Sequence, residues 1–244
     1  MWTEFSWQTL GFVWLGAFLG GMASGAAGFA YGAVATAIWL HAISPLHAAF
    51  LVVSGGLVNQ TGLVWSMRRS IEGARLWPFL LGGAVGVPLG VALVVKANPG
   101  SIRIGLAAFM VVYGSYALLA PRLPQLSWGG RIADAAVGFL GGLIGGVAGL
   151  SGILPAIWTQ LRGWPKQVAR GVYQPFILAA HLFTLLLIGV VALDRTGIGL
   201  FLAAIPMVLL GSWAGWLIYG KLDERRFQQM FAILLLGSGV ILLL

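Results

Sequence analysis

The chain contains no cysteine, which excludes disulfides, thiolate metal sites and thiol catalysis. Charge is scarce, at 8% of 244 residues, and acids are scarcer still. The six are Glu4, Glu72, Asp134, Asp194, Asp223 and Glu224, and none falls deep inside an apolar run. Carboxylate proton relays and carboxylate cation sites are therefore not expected, which argues against a transporter of metal cations. No HExxH, Walker or Ser-His-Asp pattern is present. An intramembrane enzyme would have only serines and His181 to work with, so neither catalysis nor a cofactor is expected. The first residues, MWTEFSWQTL, lack a basic n-region, so no cleaved signal peptide is expected.

Apolar residues are what the chain has in excess, at 59%. Such a composition leaves too little polar surface to face water. Apolar runs near the ~20 residues needed to cross a bilayer recur along the whole length. The class is an all-α polytopic protein, multi-pass in the cytoplasmic (inner) membrane, with lipid as its surroundings. The net charge of +8 sits mostly in short loops, where it sets orientation and gives no reason to expect nucleic acid. Trp2, Trp7, Trp65, Trp77, Trp128 and Trp164 lie mostly at the ends of runs, as interfacial anchors do.

One stretch stands apart. Gly11 to Leu40 is apolar, but its centre, Gly20 to Gly32, is built largely of Gly, Ala and Ser. Each glycine there costs a helix about 0.5–1 kcal/mol relative to alanine. A copy follows: FLGGLIGGVAGL at 139–150 aligns with FLGGMASGAAGF at 18–29. The match continues through Ala37-Ile-Trp39 with Ala156-Ile-Trp158, Gly86 and Gly90 with Gly211 and Gly215, and Tyr113-Gly-Ser115 with Leu236-Gly-Ser238, at an offset of 119–125 residues. The chain thus reads as two repeats, residues 1–120 and 131–244, joined by a cytoplasmic linker at 121–130 into one membrane domain.

Orientation decides between two architectures. If each glycine-broken segment crossed once, giving eight simple spans, the basic clusters Arg68–Arg75 and Lys221–Arg226 would fall on opposite sides. If each is a re-entrant hairpin of two half-helices of about 15 residues, the clusters at 68–75, 122–131, 162–170 and 221–226 all fall on the cytoplasmic side. Glu4, the Asp194-Arg195 turn and the C-terminus lie opposite, with Lys96 and Arg103 as the exception. Each repeat then holds a hairpin plus three spans, so the two repeats are inverted. The second arrangement is preferred.

The two hairpin tips would meet near the midplane, with the second half-helices starting near Gly28 and Ser151. Free N–H groups and the positive end of a helix dipole attract anions. Ser24 and Ser151 can add hydroxyl donors, and Gly25, Gly28, Gly149 and Gly152 let a ligand approach the backbone. The expected ligand is a small anion, with Arg170 and Gln174 as further contacts and Ser54 and His181 as secondary candidates. Arg170, Gln174 and His181 share one helix face, as do His47, Ser54 and Thr61, spaced every seven residues. The plainer readings are a snorkelling Arg170, a helix-bridging Gln174 and a packed His181. Asn59 and Gln60 lie off the stripe and read as interhelical glue. The residues specify neither a coupling ion, proton or sodium, nor assembly with further copies of the chain.

FLGGMASGAAGFAYG at 18–32, FLGGLIGGVAGLSG at 139–152, the segment Pro165-Lys-Gln-Val-Ala-Arg-Gly171 and the four-plus-four repeat together resemble the sulfite exporter TauE/SafE family. The resemblance implies alternating-access transport of sulfite, an organosulfonate or a related sulfur oxyanion across the cytoplasmic membrane, in the outward direction. Phe29 and Tyr31 depart from the small residues more usual at the first tip, which bears on the choice of anion. A passive anion channel and a non-transporting membrane scaffold or assembly factor are the alternatives.

Overall fold

The computed structural model describes residues 6–94, 99–119, 125–192 and 194–243. Glu4, Trp2, Lys96, Arg122 and both linker prolines, Pro121 and Pro124, lie outside them. The described residues form ten α-helices: α1 (Trp7–Ala27), α2 (Tyr31–Trp39), α3 (Pro45–Met67), α4 (Gly73–Val94), α5 (Pro99–Leu119), α6 (Gly130–Ala148), α7 (Ile153–Leu161), α8 (Lys166–Ala192), α9 (Arg195–Gly220) and α10 (Glu224–Leu243). Six of them, α1, α3, α4, α6, α8 and α9, are long and apolar enough to cross a membrane. Large side chains such as Leu81, Val85, Leu186, Leu209 and Ile233 stay exposed on the outer surface, as a lipid-facing surface allows.

Local signals start the helices. Ser6 and Ser44 accept the N–H groups of Thr9 and His47 at 3.0 and 3.3 Å, and Pro45 occupies the first helical turn of α3. Asp194 caps α9 by accepting the Gly197 N–H at 2.6 Å, and it also meets His47 Nε2 at 3.0 Å. These two hydrogen bonds, the backbone one foremost, hold the Asp194 carboxyl below its ordinary pKa. Stability from this cap is therefore complete above the ordinary aspartate range and fades as pH falls through the lowered value. Thermal unfolding of the wild type and Asp194→Ala across acidic pH checks this: the gap between them should be constant near neutrality and close in acid.

Neither glycine-broken segment forms one straight helix, and neither divides into equal halves of about 15 residues. Each is a long helix of 21 or 19 residues followed by a short one of nine. The glycine runs hold helical form because other backbones pack on them. A methyl group built on Gly21 or Gly25 would sit 2.7 or 2.3 Å from the carbonyl oxygens of Val208 or Ser212 in α9. One on Gly142 or Gly146 would strike Gly83 or Val87 of α4 just as closely. Close backbone contact of this kind is the main source of helix association in lipid, and it offsets the intrinsic helix cost of glycine. The breaks come where the backbone turns left-handed, at Gly28 (φ 91°) and Gly149 (φ 71°).

After each break the chain folds back along the helix it has just left. Trp39 Nε1 donates to Val13 O at 3.1 Å, and Trp158 Nε1 to Asp134 Oδ1 at 2.7 Å. Each pins a short return helix, about 14 Å long by its nine residues, to the base of its long partner. α1 packs on α9 and α6 on α4, so each broken segment leans on the other half of the chain. α3 packs on α8 and α5 on α10. Contact order gives direction. Gly56 lies against His181 and Ser70 against Gly171, and Gly114 meets Leu236 where Gly239 meets Met110. Both pairs run antiparallel. Arg75 stacks on Trp164 at 4.8 Å, Arg162 Nη1 reaches Trp128 O at 3.0 Å, and Lys166 donates to Leu222 O. These contacts gather basic residues at one end of the bundle, while the His47–Asp194 pair lies with the helix starts at the other.

Candidate functional site

The two breaks meet. A methyl group built on Gly152 would lie 3.1 Å from Phe29 Cβ, and one on Gly32 would lie 2.9 Å from Leu150 Cδ2 and 3.5 Å from Gly149 O. One on Gly28 would lie 2.9 Å from Gln174 Nε2. Ser24, Ser151 and Gln174 have no exposed surface. The junction is therefore a tight, buried contact between Gly28–Gly32 and Gly149–Gly152, with Gln174 of α8 at its side.

The chain ends its long helices here, so negative dipole ends point at the junction and need donors. The structure supplies them from α3 and α8. Gln60 Nε2 donates to Gly28 O at 3.0 Å, and His181 Nε2 meets Gly149 O at 3.0 Å. Tyr173 OH donates to Ala27 O at 2.6 Å. Arg170, fully buried, sends Nη1 to Ala26 O at 3.2 Å and Nη2 to Gly25 O at 3.1 Å, and its guanidinium lies 4.0 Å from the Tyr219 ring centre. Donors thus meet four carbonyls at the first tip and one at the second, and the positive ends of α2 and α7 face the same junction. Their first residues follow Ala30 and Gly152, and neither N-cap has a side-chain hydrogen bond.

Several buried polar atoms around the junction have no hydrogen-bond partner: Ser24 Oγ, Ser151 Oγ, both amide atoms of Gln174, Arg170 Nε and His181 Nδ1. An unsatisfied buried donor or acceptor costs about 1–3 kcal/mol, so a cluster of them asks for a function. Among them Ser151 stands two residues before α7 and Gln174 Nε2 lies beside Gly28, donors close to the two breaks of a kind suited to a small oxyanion. Three clefts, of about 350, 270 and 480 Å³, open elsewhere, on the outer faces between α3 and α9, α4 and α8, and α4 and α6.

A family model described as sulfite exporter TauE/SafE matches residues 13–242. The chain belongs to the TauE/SafE family. That family is one of membrane transporters, and the fold of this member is an integral, multi-pass helical one. Comparison with curated proteins and with solved structures gave no match.

Against this geometry the residues anticipated for the TauE/SafE member separate into groups. Ser24, Gly28, Gly149, Ser151, Gly152 and Gln174 come together at the junction. Gly25 turns its open face to α9 and gives its carbonyl to Arg170, so it packs helices and offers the junction no donor. Arg170 neither snorkels nor points into the junction with its forked nitrogens; it caps α1 from behind. Ser54 donates to Phe50 O of its own helix at 2.6 Å, and Thr61, exposed, does the same to Leu57 O. Gln60 and Asn59, read from the sequence as interhelical glue, do bridge helices, Asn59 by accepting from Ser212 of α9 and Gln60 by donating to Gly28 O at the first break. Tyr173 and Gln60 were not anticipated at the junction. The repeat offset held the signal for Gln60, because Gly28 to Gly149 and Gln60 to His181 are both separated by 121 residues.

Proposed function

We propose that this protein is a secondary transporter of a small sulfur-containing oxyanion, sulfite or an organosulfonate, held between the two tips and moved across the cytoplasmic membrane by alternating access. Export is the direction adopted. The observation that carries the reading is the set of buried, partnerless donors, Ser24 Oγ, Ser151 Oγ and Gln174 Nε2, beside two uncapped helix starts. The substrate class rests on family membership. Gly28, Gly149 and Gly152 bring the backbone to the anion, while Gly25 and Arg170 hold the first tip from outside the site.

Inverted repeats supply the two-state geometry. The antiparallel pairs α3–α8 and α5–α10 join repeat mates, and mates running in opposite directions imply an inverted repeat. The matched exchange of α1–α9 for α6–α4 supports the same inference. Rocking one half against the other would open the junction first to one end and then to the other, around tips that stay together.

Transport of ³⁵S-labelled sulfite and methanesulfonate into proteoliposomes tests the reading. Saturable flux is expected. Gln174→Leu should raise the half-saturating concentration at least tenfold while leaving thermal stability intact or slightly higher, because the Gln174 amide makes no hydrogen bond that leucine would break. Full transport by Gln174→Leu, or unsaturable flux of every oxyanion, would overturn it.

A further inference from the structure

Gln60 in the first repeat and His181 in the second do one structural task, although the offset of 120 that aligns Pro45 with Pro165 sets Thr61 opposite His181. Each reaches from the long helix after a hairpin to the carbonyl of the left-handed glycine at its tip, and each does so at 3.0 Å. A glutamine amide performs that task in the first half, so the task does not require a titratable group. In the second half the donor is an imidazole. Its Nε2–H is spent on Gly149 O, and its Nδ1 is buried with no partner. A neutral imidazole with a free ring nitrogen is a proton acceptor, placed one hydrogen bond from the junction.

We propose that His181 is the binding site of a second substrate, a proton, taken up at Nδ1 when the anion binds. This rests on the anion site assigned above. The surroundings favour it. α3 presents Gly56 to the ring, and Tyr31 of α2 meets the adjoining Gly55. On α8 itself the other titratable groups are Lys166, Arg170 and Tyr173, two or more turns toward its start. α4 carries Arg75 near its start, α3 carries His47 near its start, and α9 carries Arg195 and Tyr219 at its ends. The 3-10 turn after α3 adds Arg68 and Arg69, and α6 adds Arg131 and Asp134 in its first turns. The acids of these elements all lie at the helix ends with partners of their own: Asp134 on Trp158, Glu72 on Arg75, and Asp194, beyond the end of α8, on His47. A bound oxyanion would be the only negative charge beside His181, and in this buried setting it would strongly favour the imidazolium. Protonation and anion binding would then reinforce each other, so that the two ligands cross together and export runs down the anion's own gradient, against that of the proton. No carboxylate lies at this depth to hold a sodium ion in place of the proton.

Binding of methanesulfonate, whose charge is fixed across the range, is measured by thermal shift and calorimetry on the purified full chain from pH 5 to 9. Affinity for the wild type should fall by up to tenfold per pH unit above the His181 titration, with about one proton taken up per anion. His181→Gln keeps a donor for Gly149 O and should bind with an affinity that no longer changes with pH. His47→Gln, at the far end of α3, should keep the wild-type slope. In proteoliposomes an imposed pH gradient should drive accumulation by the wild type and not by His181→Gln. Methanesulfonate binding by the wild type that is flat with pH, with no proton uptake, overturns the proposal whether or not the variants fold. No binding of methanesulfonate or sulfite at any pH removes the anion site itself, and the proton site with it.

Discussion

Gly25→Val is expected to cost about 3 kcal/mol or more of stability and to abolish transport, even though residue 25 offers no donor to the junction. The first atom added would stand 2.3 Å from Ser212 O, 2.9 Å from Trp216 N and 3.0 Å from Gly215 Cα. All three belong to the backbone of α9, so no side-chain rotation relieves the clash. The helices would have to separate by about an ångström along the face where Gly21, Gly25, Gly211 and Gly215 interlock, and dispersion forfeited over such a gap is a large share of what holds helices together in lipid. Separation would also pull Gly25 O and Ala26 O from Arg170 and move the first tip off the second. Gly62→Ala is the comparison: nothing lies within 4 Å of the added atom, and the change should leave stability the same or slightly raised. The measurement is the thermal midpoint in detergent for both variants, followed by sulfite flux. A Gly25→Val protein with wild-type stability and no flux would return Gly25 to the binding site.

The contrast between these two glycines shows what the sequence discloses and what it withholds. Glycine-rich segments at matched offsets located both breaks, and the positions of the arginines indicated that the segments fold back. The place of the turn was less visible. A run such as GGMASGAAG marks several positions where a helix is weak, and intrinsic cost alone does not say which one yields. The answer depends on α9 and α4, which lie far away in sequence and support Gly21, Gly25, Gly142 and Gly146. Within the two glycine-broken segments only Gly28 and Gly149 turn left-handed, and each does so beyond the stretch its partner helix supports. That is why the long and short helices are unequal.

The same limit applies to the polar residues. Periodicity placed Ser54 and Thr61 on a stripe with apparent access to the centre, but a lone serine or threonine hydroxyl in an apolar helix can satisfy itself on the carbonyl four residues back, and both do. Gln60 has a longer reach and two donors, and its amide finds Gly28 O, one of the carbonyls left open by the turn. Tyr173 reads from the sequence as one more aromatic, and its role depends on the height at which α1 ends. Ser24, Ser151 and Gln174 were legible because they sit on or beside the repeated tips. That they keep unspent hydrogen-bonding capacity is a three-dimensional fact.

Arg170→Ala is the second large effect, expected on the order of 4 kcal/mol. A snorkelling arginine would be replaced at little cost, because its charge would rest in the headgroup region. Arg170 instead has no exposed surface, and its two forked nitrogens hold two consecutive carbonyls at the end of α1. Removing it would leave Gly25 O and Ala26 O buried at the negative end of a helix dipole, at about 1–3 kcal/mol each. The contact with the Tyr219 ring, 4.0 Å from the guanidinium carbon, is worth about 2 kcal/mol when desolvated. Arg170→Lys should recover only part of the loss, since an ammonium is a point donor and cannot span both carbonyls while keeping a planar face on the ring. The ranking expected in thermal unfolding is therefore wild type, then Arg170→Lys, then Arg170→Ala, with the two variants closer to each other than to the wild type. Anion binding separates this role from direct contact. If Arg170 acts by fixing the first tip, variants that remain folded at low temperature should lose affinity in proportion to the stability they have lost, for sulfite and methanesulfonate alike. Loss of affinity in a protein as stable as the wild type would instead put the guanidinium on the anion, through the Nε–H that the carbonyls leave free.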